Sequence, residues 1–220
     1  IDLCLHAQEM QADGIVLVSP YYNVPTQKRL FTHFEKIALH TSLPIILYDH
    51  PTRTGVSLGE NLVLELAQIP NIVGIKEGSG NLERLNTLTS RLLETNTKLA
   101  IYSGVDEMNY PFLCLGAKGL ISVASNLTPT PLLTMLQACK DSNFSLAKEI
   151  HYNLLPLVRA LFLNTNPIPI KEALYLCGKI QEGIPRLPLS SMENKDHKTL
   201  LKVLNKMKLT PNPIERISPS

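Results

Sequence analysis

Asn71-Ile72-Val73-Gly74-Ile75-Lys76-Glu77-Gly78-Ser79-Gly80 is an apolar run that ends abruptly in a lysine, a glutamate and a glycine-rich turn. A continuous apolar run, without alternation of polar and apolar residues, marks a strand covered on both faces, as in a parallel sheet. A lysine at the buried end of such a strand is costly to hold as an ammonium, so it tends to lose its proton or find a partner. A neutral lysine amine forms Schiff bases with carbonyl substrates. The other reading is a lysine whose stem lies along the sheet while its ammonium snorkels to water. The run alone leaves both open.

Four further runs of the same kind flank it: Gly14–Ser19, Pro44–Tyr48, Lys98–Ser103 and Gly119–Ser125. The five starts are 30, 27, 27 and 21 residues apart. The segments between them carry helical spacing, with stripes Leu30/Phe34/Ile37/Ala38, Leu62/Leu66/Ile69 and Leu82/Leu85/Leu88/Leu92. Strand, helix and strand at this interval is the βαβ pattern of an α/β fold. After Ser125 the strands stop, and helices are predicted over 129–140, 144–163, 167–178 and 196–208. No Gly-x-Gly-x-x-Gly or Gly-Lys-Ser/Thr loop follows any strand, which argues against a nucleotide-binding open sheet. A (β/α)8 barrel fits better, although it needs eight strands. The chain starts at Ile1 without Met, in a helix with Leu3, Ala7 and Met10 on one face, so the first three strands are expected to lie ahead of Ile1. Residues 1–126 are then barrel strands four to eight, 127–208 the last barrel helix and a C-terminal helical extension, and 209–220 a tail.

At 220 residues, 44% hydrophobic and 18% charged, the composition is that of a soluble globular protein. A net charge of +2 gives no reason to expect nucleic acid or an acidic membrane surface. No apolar stretch approaches the roughly 20 residues of a membrane span. Cys4, Cys114, Cys139 and Cys177 are far apart, lack metal-ligand spacing and read as reduced core residues of a cytoplasmic protein.

Each apolar run ends, on its C-terminal side, in groups with chemistry. These are Tyr21-Tyr22-Asn23, Tyr48-Asp49-His50, Lys76-Glu77, Ser103-Gly104-Val105-Asp106 and Ser125-Asn126. Barrel active sites are built on this face, where strand ends converge. A lysine and two tyrosines there make an amine nucleophile with phenolic proton carriers beside it. Each has a plainer alternative: Tyr48 as a core tyrosine, Tyr22 as rim packing, Arg53 as an ion-pair partner, His50 as a loop histidine. Glu77 adjoins Lys76 in the same strand, so it points to the opposite face, toward the helices.

Six motifs in register carry a resemblance over about residues 1–204. They are Ser19-Pro20-Tyr21-Tyr22-Asn23, Ile46-Leu47-Tyr48-Asp49-His50-Pro51-Thr52-Arg53-Thr54-Gly55 and Gly74-Ile75-Lys76-Glu77-Gly78-Ser79-Gly80, followed by Tyr102-Ser103-Gly104-Val105-Asp106, Gly116-Ala117-Lys118-Gly119-Leu120-Ile121-Ser122-Val123 and Asn166-Pro167-Ile168-Pro169-Ile170-Lys171. The chain resembles the dihydrodipicolinate synthase family of pyruvate-dependent Schiff-base lyases and aldolases.

The resemblance implies that Lys76 condenses with pyruvate and that the enamine attacks L-aspartate 4-semialdehyde, in diaminopimelate and lysine biosynthesis. It implies Tyr48 as proton donor and acceptor, Tyr22 as a member of the proton relay, and Arg53 as the clamp on the second substrate's carboxylate. Ile121 lines the pyruvate pocket and Gly104 keeps room beside it. It further implies no cofactor or metal, and a homotetramer of dimers with Tyr21 near a dimer contact. The sialic acid lyase branch usually lacks an arginine in the Thr52-Arg53-Thr54-Gly55 loop, which favours the synthase. The alternatives are a sialic acid or keto-deoxy sugar acid aldolase, and an inactive fragment or non-catalytic paralogue. The family usually has Asn and a small apolar residue at Asp49 and His50. Its two relay threonines and much of its lysine feedback site find no counterpart here and are expected ahead of Ile1, so the 220-residue chain by itself is expected to be inactive.

Overall fold

A computed structural model describes residues 1–211. The chain divides into two compact units, Ile1–Ile121 and a second from Ser122 onward, five residues before the expected boundary at 126.

The first unit runs α1 (Asp2–Glu9), β1 (Ile15–Val18), α2 (Gln27–Ala38), β2 (Ile45–Asp49), α3 (Pro51–Thr54), α4 (Glu60–Leu66), β3 (Ile72–Glu77), α5 (Leu82–Glu94), β4 (Ala100–Ser103), α6 (Asn109–Cys114) and β5 (Gly119–Leu120). The strands form one parallel sheet in sequence order, β1-β2-β3-β4-β5. That order is what successive βαβ units give when each crossover returns the chain to the neighbouring position. The predicted helical stripes are the buried ones: Leu30, Phe34, Ile37 and Ala38 in α2, Leu62 and Leu66 in α4, and Leu85, Leu88 and Leu92 in α5. They cover one sheet face, where Ile45, Leu47, Ile75 and Ile101 complete the core. Burying side chains of this size contributes about 1.5–3 kcal/mol each before chain entropy is counted.

Three expectations fail in detail. The fifth strand ends at Leu120, and Ala124–Asn126 form a 3-10 turn, so Ser125 and Asn126 do not close a strand. On α1 the Leu3/Met10 face is exposed and Cys4 is the buried residue; Cys114 is also exposed, not a core cysteine.

The β2–β3 pairing contains a feature that spacing does not reveal. Ile45 pairs with Ile72, but Ile46 pairs with Gly74, so Val73 is an extra residue in β3. In a two-residue period a one-residue slip exchanges the faces. The bulge therefore brings Tyr48 opposite Lys76 and Asp49 opposite Glu77; without it Lys76 would stand opposite Asp49.

The second unit is helical: α7 (Pro129–Lys140), α8 (Phe144–Ala160), α9 (Ile168–Leu176) and α10 (Asn194–Lys206), close to the predicted ranges. Pro129 opens α7, where a missing N–H is harmless. Asn143 caps α8 by accepting from the Leu146 N–H at 3.2 Å. Met135, Ala147, Leu157, Ala173, Leu200 and Leu204 form its interior. Of the expected tail, residues 212–220 lie outside the described residues. Among the described residues no helix is long and apolar enough to cross a membrane.

Candidate active site

Alternation in β2 and β3 sorts the side chains at their C-terminal ends. Ile45, Leu47 and Asp49 face the helices, as do Ile75 and Glu77, while Tyr48 and Lys76 share the other face. Lys76 also pairs in register with Tyr102 of β4, so a lysine lies between two tyrosines across three strands.

The Lys76 amine stands 3.8 Å from the centroid of the Tyr48 ring. Burial lowers the Lys76 pKa, and the nearby Asp106 carboxylate partly opposes the shift. Asp106 is itself buried and accepts from Asn109 Nδ2 at 2.9 Å; Asn109 Oδ1 in turn accepts from the Ser103 hydroxyl at 2.8 Å. The result is an amine more readily neutral than a solvated lysine, with a carboxylate held in place nearby. Burial raises the Tyr48 pKa and Arg53 partly counters it, which keeps the phenol protonated and able to donate.

Two glycines permit the close packing. A Cβ on Gly104 would lie 2.8 Å from the Glu77 carbonyl oxygen and 3.0 Å from Lys76 Cε. A Cβ on Gly78 would lie 2.6 Å from the Asp49 carbonyl oxygen and 3.2 Å from the Tyr48 ring. Both are places of close backbone approach where a side chain does not fit.

Behind this face lies an ionic cluster. Arg84, in the first turn of α5, donates through Nη2 to Asp49 Oδ2 at 2.8 Å and to the Leu58 carbonyl at 2.5 Å. Its Nη1 donates to Glu60 Oε1 at 2.9 Å, and its Nε lies 3.6 Å from Glu77 Oε1. Asp49 Oδ2 also accepts from the Ser57 hydroxyl at 2.8 Å, and the Glu77 oxygens accept from the Ser79 and Gly80 N–H groups. Burial pushes the Asp49 pKa up against the pull of Arg84, Ser57 and the Leu58 backbone, and Glu77 adds to the rise. Among the described residues no group of three or more His, Cys, Asp or Glu side chains converges to hold a metal ion.

Residues 1–207 match the model of the dihydrodipicolinate synthetase family. The chain belongs to that family. It is 44% identical over 209 residues to the 4-hydroxy-tetrahydrodipicolinate synthase of Methanothrix thermoacetophila, covering 94% of this chain and 69% of that protein. The dihydrodipicolinate synthase of Aquifex aeolicus superimposes with a TM-score of 0.91 at 40% identity, over 96% of this chain and 71% of that one. That of Acinetobacter baumannii, solved in complex with pyruvate, gives 0.89 at 38% identity, over 94% and 70%.

Within this member of the dihydrodipicolinate synthetase family, Lys76, Tyr48 and Gly104 are brought together. Ile121 donates its N–H to the Ser103 carbonyl at 2.8 Å, which carries the β4–β5 ladder on to the position beside Gly104. Arg53 is exposed on α3, within electrostatic reach of Tyr48 and His50. Tyr22 is not brought in. It sits on a turn at φ 73°, 96% exposed. The two departures from the family pattern separate. Asp49 faces the helices, whereas the half-buried His50 lies 5.5 Å, ring to ring, from Tyr48, with Nδ1 3.0 Å from the Thr52 hydroxyl. Sequence reasoning missed Arg84. Its signal was faint: an arginine three residues after the capping Asn81, at the helix end that disfavours cations.

Proposed function

We propose that this chain is a 4-hydroxy-tetrahydrodipicolinate synthase, a Schiff-base lyase of diaminopimelate and lysine biosynthesis that joins pyruvate to L-aspartate 4-semialdehyde. The observation that carries the reading is the amine of the half-buried Lys76, set against the Tyr48 ring at the C-terminal end of a parallel sheet. The five strands correspond to five of the eight strands of a (β/α)8 barrel.

Lys76 Nζ attacks the keto carbon of pyruvate, and a water molecule leaves as the imine forms. Tyr48 gives the proton this step needs and takes it back later. The iminium draws electrons from the methyl group, which loses a proton to give the enamine. The enamine carbon attacks the aldehyde carbon of the second substrate, and the resulting alkoxide is protonated to a hydroxyl. The substrate's own amino group then displaces Lys76 from the imine carbon, closing the ring and restoring the free amine. Arg53 binds the carboxylate of aspartate semialdehyde, Ile121 lines the pyruvate pocket, and Gly104 leaves the space that Lys76 needs.

Tyr22, too exposed to serve its own Tyr48, joins the relay of an adjoining copy in a homotetramer; the exposure of Tyr21 and Tyr22 side by side supports such a contact. The setting is cytoplasmic, in keeping with four free cysteines. The test is borohydride reduction of the complete protein, with any residues that precede Ile1, in the presence of pyruvate, followed by peptide mass mapping. A pyruvate adduct on Lys76 is expected, together with turnover of aspartate semialdehyde in preference to sugar aldehydes. Trapping at another lysine, or preference for a sugar aldehyde, would overturn the assignment.

A further inference from the structure

Asp49 and Glu77 are the residues directly after Tyr48 and Lys76, they pair with each other across β2 and β3, and both are fully buried on the helix side of the sheet. The guanidinium of Arg84 reaches both, while its third arm holds Glu60, which is only partly buried. We infer that Arg84 is a positioning residue for the reaction: by gripping Asp49 and Glu77 from behind, it fixes the two strand ends that carry the Tyr48 phenol and the Lys76 amine. The inference rests on the catalytic reading of those two residues.

Three observations carry it. First, Arg84 occupies the first turn of α5, where the helix dipole repels a cation. Asn81 caps the helix through the N–H groups of Glu83 and Arg84 at 2.9 and 3.2 Å, so the arginine is held there and offset by carboxylates. Second, Glu77 also receives the Ser79 and Gly80 N–H groups. The same carboxylate thus shapes the turn in which Gly78 donates to the Asp49 carbonyl at 2.8 Å, and strand ends and turn form one connected piece. Third, Arg84 donates through Nη2 to Asp49 and through Nη1 to Glu60, while its Nε faces Glu77 at 3.6 Å as an ionic contact without a hydrogen bond, a reach over three carboxylates that a single lysine ammonium does not offer.

Loss of the guanidinium has two consequences at the site. The strand ends are no longer tied, and misplacement of reacting groups by about 1 Å can slow a reaction on the order of a hundredfold. Two carboxylates close behind Lys76 also lose their counter-ion, which favours the ammonium form of the lysine. The titratable and charged groups acting on Asp49 and Glu77 are Arg84 from α5, His50 after β2 and, through Arg84, Glu60 from α4; those beside Lys76 on its own side are Tyr48, His50 and Asp106.

The experiment compares the complete protein, with any residues that precede Ile1, with its Arg84→Gln, Arg84→Lys and Arg91→Gln variants. Arg91 lies on the same helix and ties it to Asn61 by one hydrogen bond of 2.5 Å, away from the strand ends. The readout is the rate of borohydride trapping of pyruvate on Lys76 as a function of pH, per folded molecule. Arg84→Gln is expected to slow trapping about tenfold or more at pH 8 and to move the profile to higher pH, with Arg84→Lys between it and the unsubstituted chain. Arg91→Gln should trap normally, whatever stability it loses. Should Arg84→Gln fail to fold, Arg84→Lys alone decides. Normal rate and an unmoved profile in the folded Arg84 variants, with only a lower melting temperature, would overturn the inference. Absence of trapping on Lys76 in the unsubstituted chain would instead overturn the catalytic reading beneath it.

Discussion

The Lys76 amine and the Tyr48 ring, 3.8 Å apart, sit on neighbouring strands but meet only because β3 carries the extra residue Val73. The ring shields the amine and holds it against a surface that offers a cation weak attraction, on the order of 0.5–2 kcal/mol. Burial lowers the lysine pKa against the opposing pull of Asp106, which favours the neutral form. The pH profile of imine trapping should therefore reach half its maximum below the ordinary lysine value of 10.5. A midpoint at or above 10.5 would contradict a desolvated amine. Lys76→Ala should abolish trapping.

Tyr48→Phe keeps the ring over the amine and removes only the hydroxyl. Turnover should fall on the order of 10²–10⁴-fold, the usual contribution of a general acid–base group. The pH midpoint of trapping should stay in place, because the shielding surface is unchanged. Measuring kcat and the trapping profile on the same preparation separates the proton carrier from the shield.

Gly104→Ala tests the packing beside Lys76. The added methyl would meet the Glu77 carbonyl oxygen at 2.8 Å, a backbone atom that cannot rotate away, and Lys76 Cε at 3.0 Å. Overpacking of this kind is expected to lower stability by about 1–3 kcal/mol in urea unfolding. The trapping rate should fall as well, since Lys76 must shift. Unchanged stability would mean that β4 moves aside freely.

Much of this was readable in the sequence because it depends on local pattern. The stripes Leu30/Phe34/Ile37 and Leu85/Leu88/Leu92 bury the face their spacing indicates, whereas the apolar runs are covered on one face only in part: Ile45, Leu47 and Ile75 are buried, and Val16, Val18 and Val73 are exposed. Glu77 turned toward the helices as strand alternation requires. What escaped depends on contacts between distant segments. The Val73 bulge is a matter of register between two strands, and no composition rule marks it. Arg84 lies 35 residues from Asp49, and on a helix an arginine is ordinarily a solvated surface residue. The fifth strand stops early at Leu120, even though the apolar residues continue to Val123.

Asp49→Asn has a sign that follows from linkage. Burial raises the Asp49 pKa in the folded state above its ordinary 3.8, so the folded protein favours the neutral carboxyl. A raised folded pKa gives a contribution to stability that is full below the unfolded value and is lost as pH rises through the folded one. The amide imitates the neutral form and still accepts from Arg84 and Ser57. The variant should therefore be more stable than the unsubstituted chain at pH 7, and the difference should shrink toward pH 4. Urea unfolding across that range checks it; a variant less stable at pH 7 would show that the Arg84–Asp49 ion pair outweighs the burial of the carboxylate.

Tyr22 gives the sharpest test of assembly. Its side chain is 96% exposed on a left-handed turn, so a relay role requires that it reach the site of another copy. Tyr22→Phe and Lys76→Ala should each be inactive alone. In a mixed dimer the Tyr22→Phe copy keeps its own Lys76 and receives an intact Tyr22 from the Lys76→Ala copy, so that one site is complete. Random exchange of equal amounts should restore about a quarter of the sites in an isologous pair. Recovery of activity after mixing, at a level set by the ratio of the two variants, is the expected result. No recovery under conditions where native mass spectrometry shows exchanged subunits would remove Tyr22 from the relay and leave it as a packing residue of the rim.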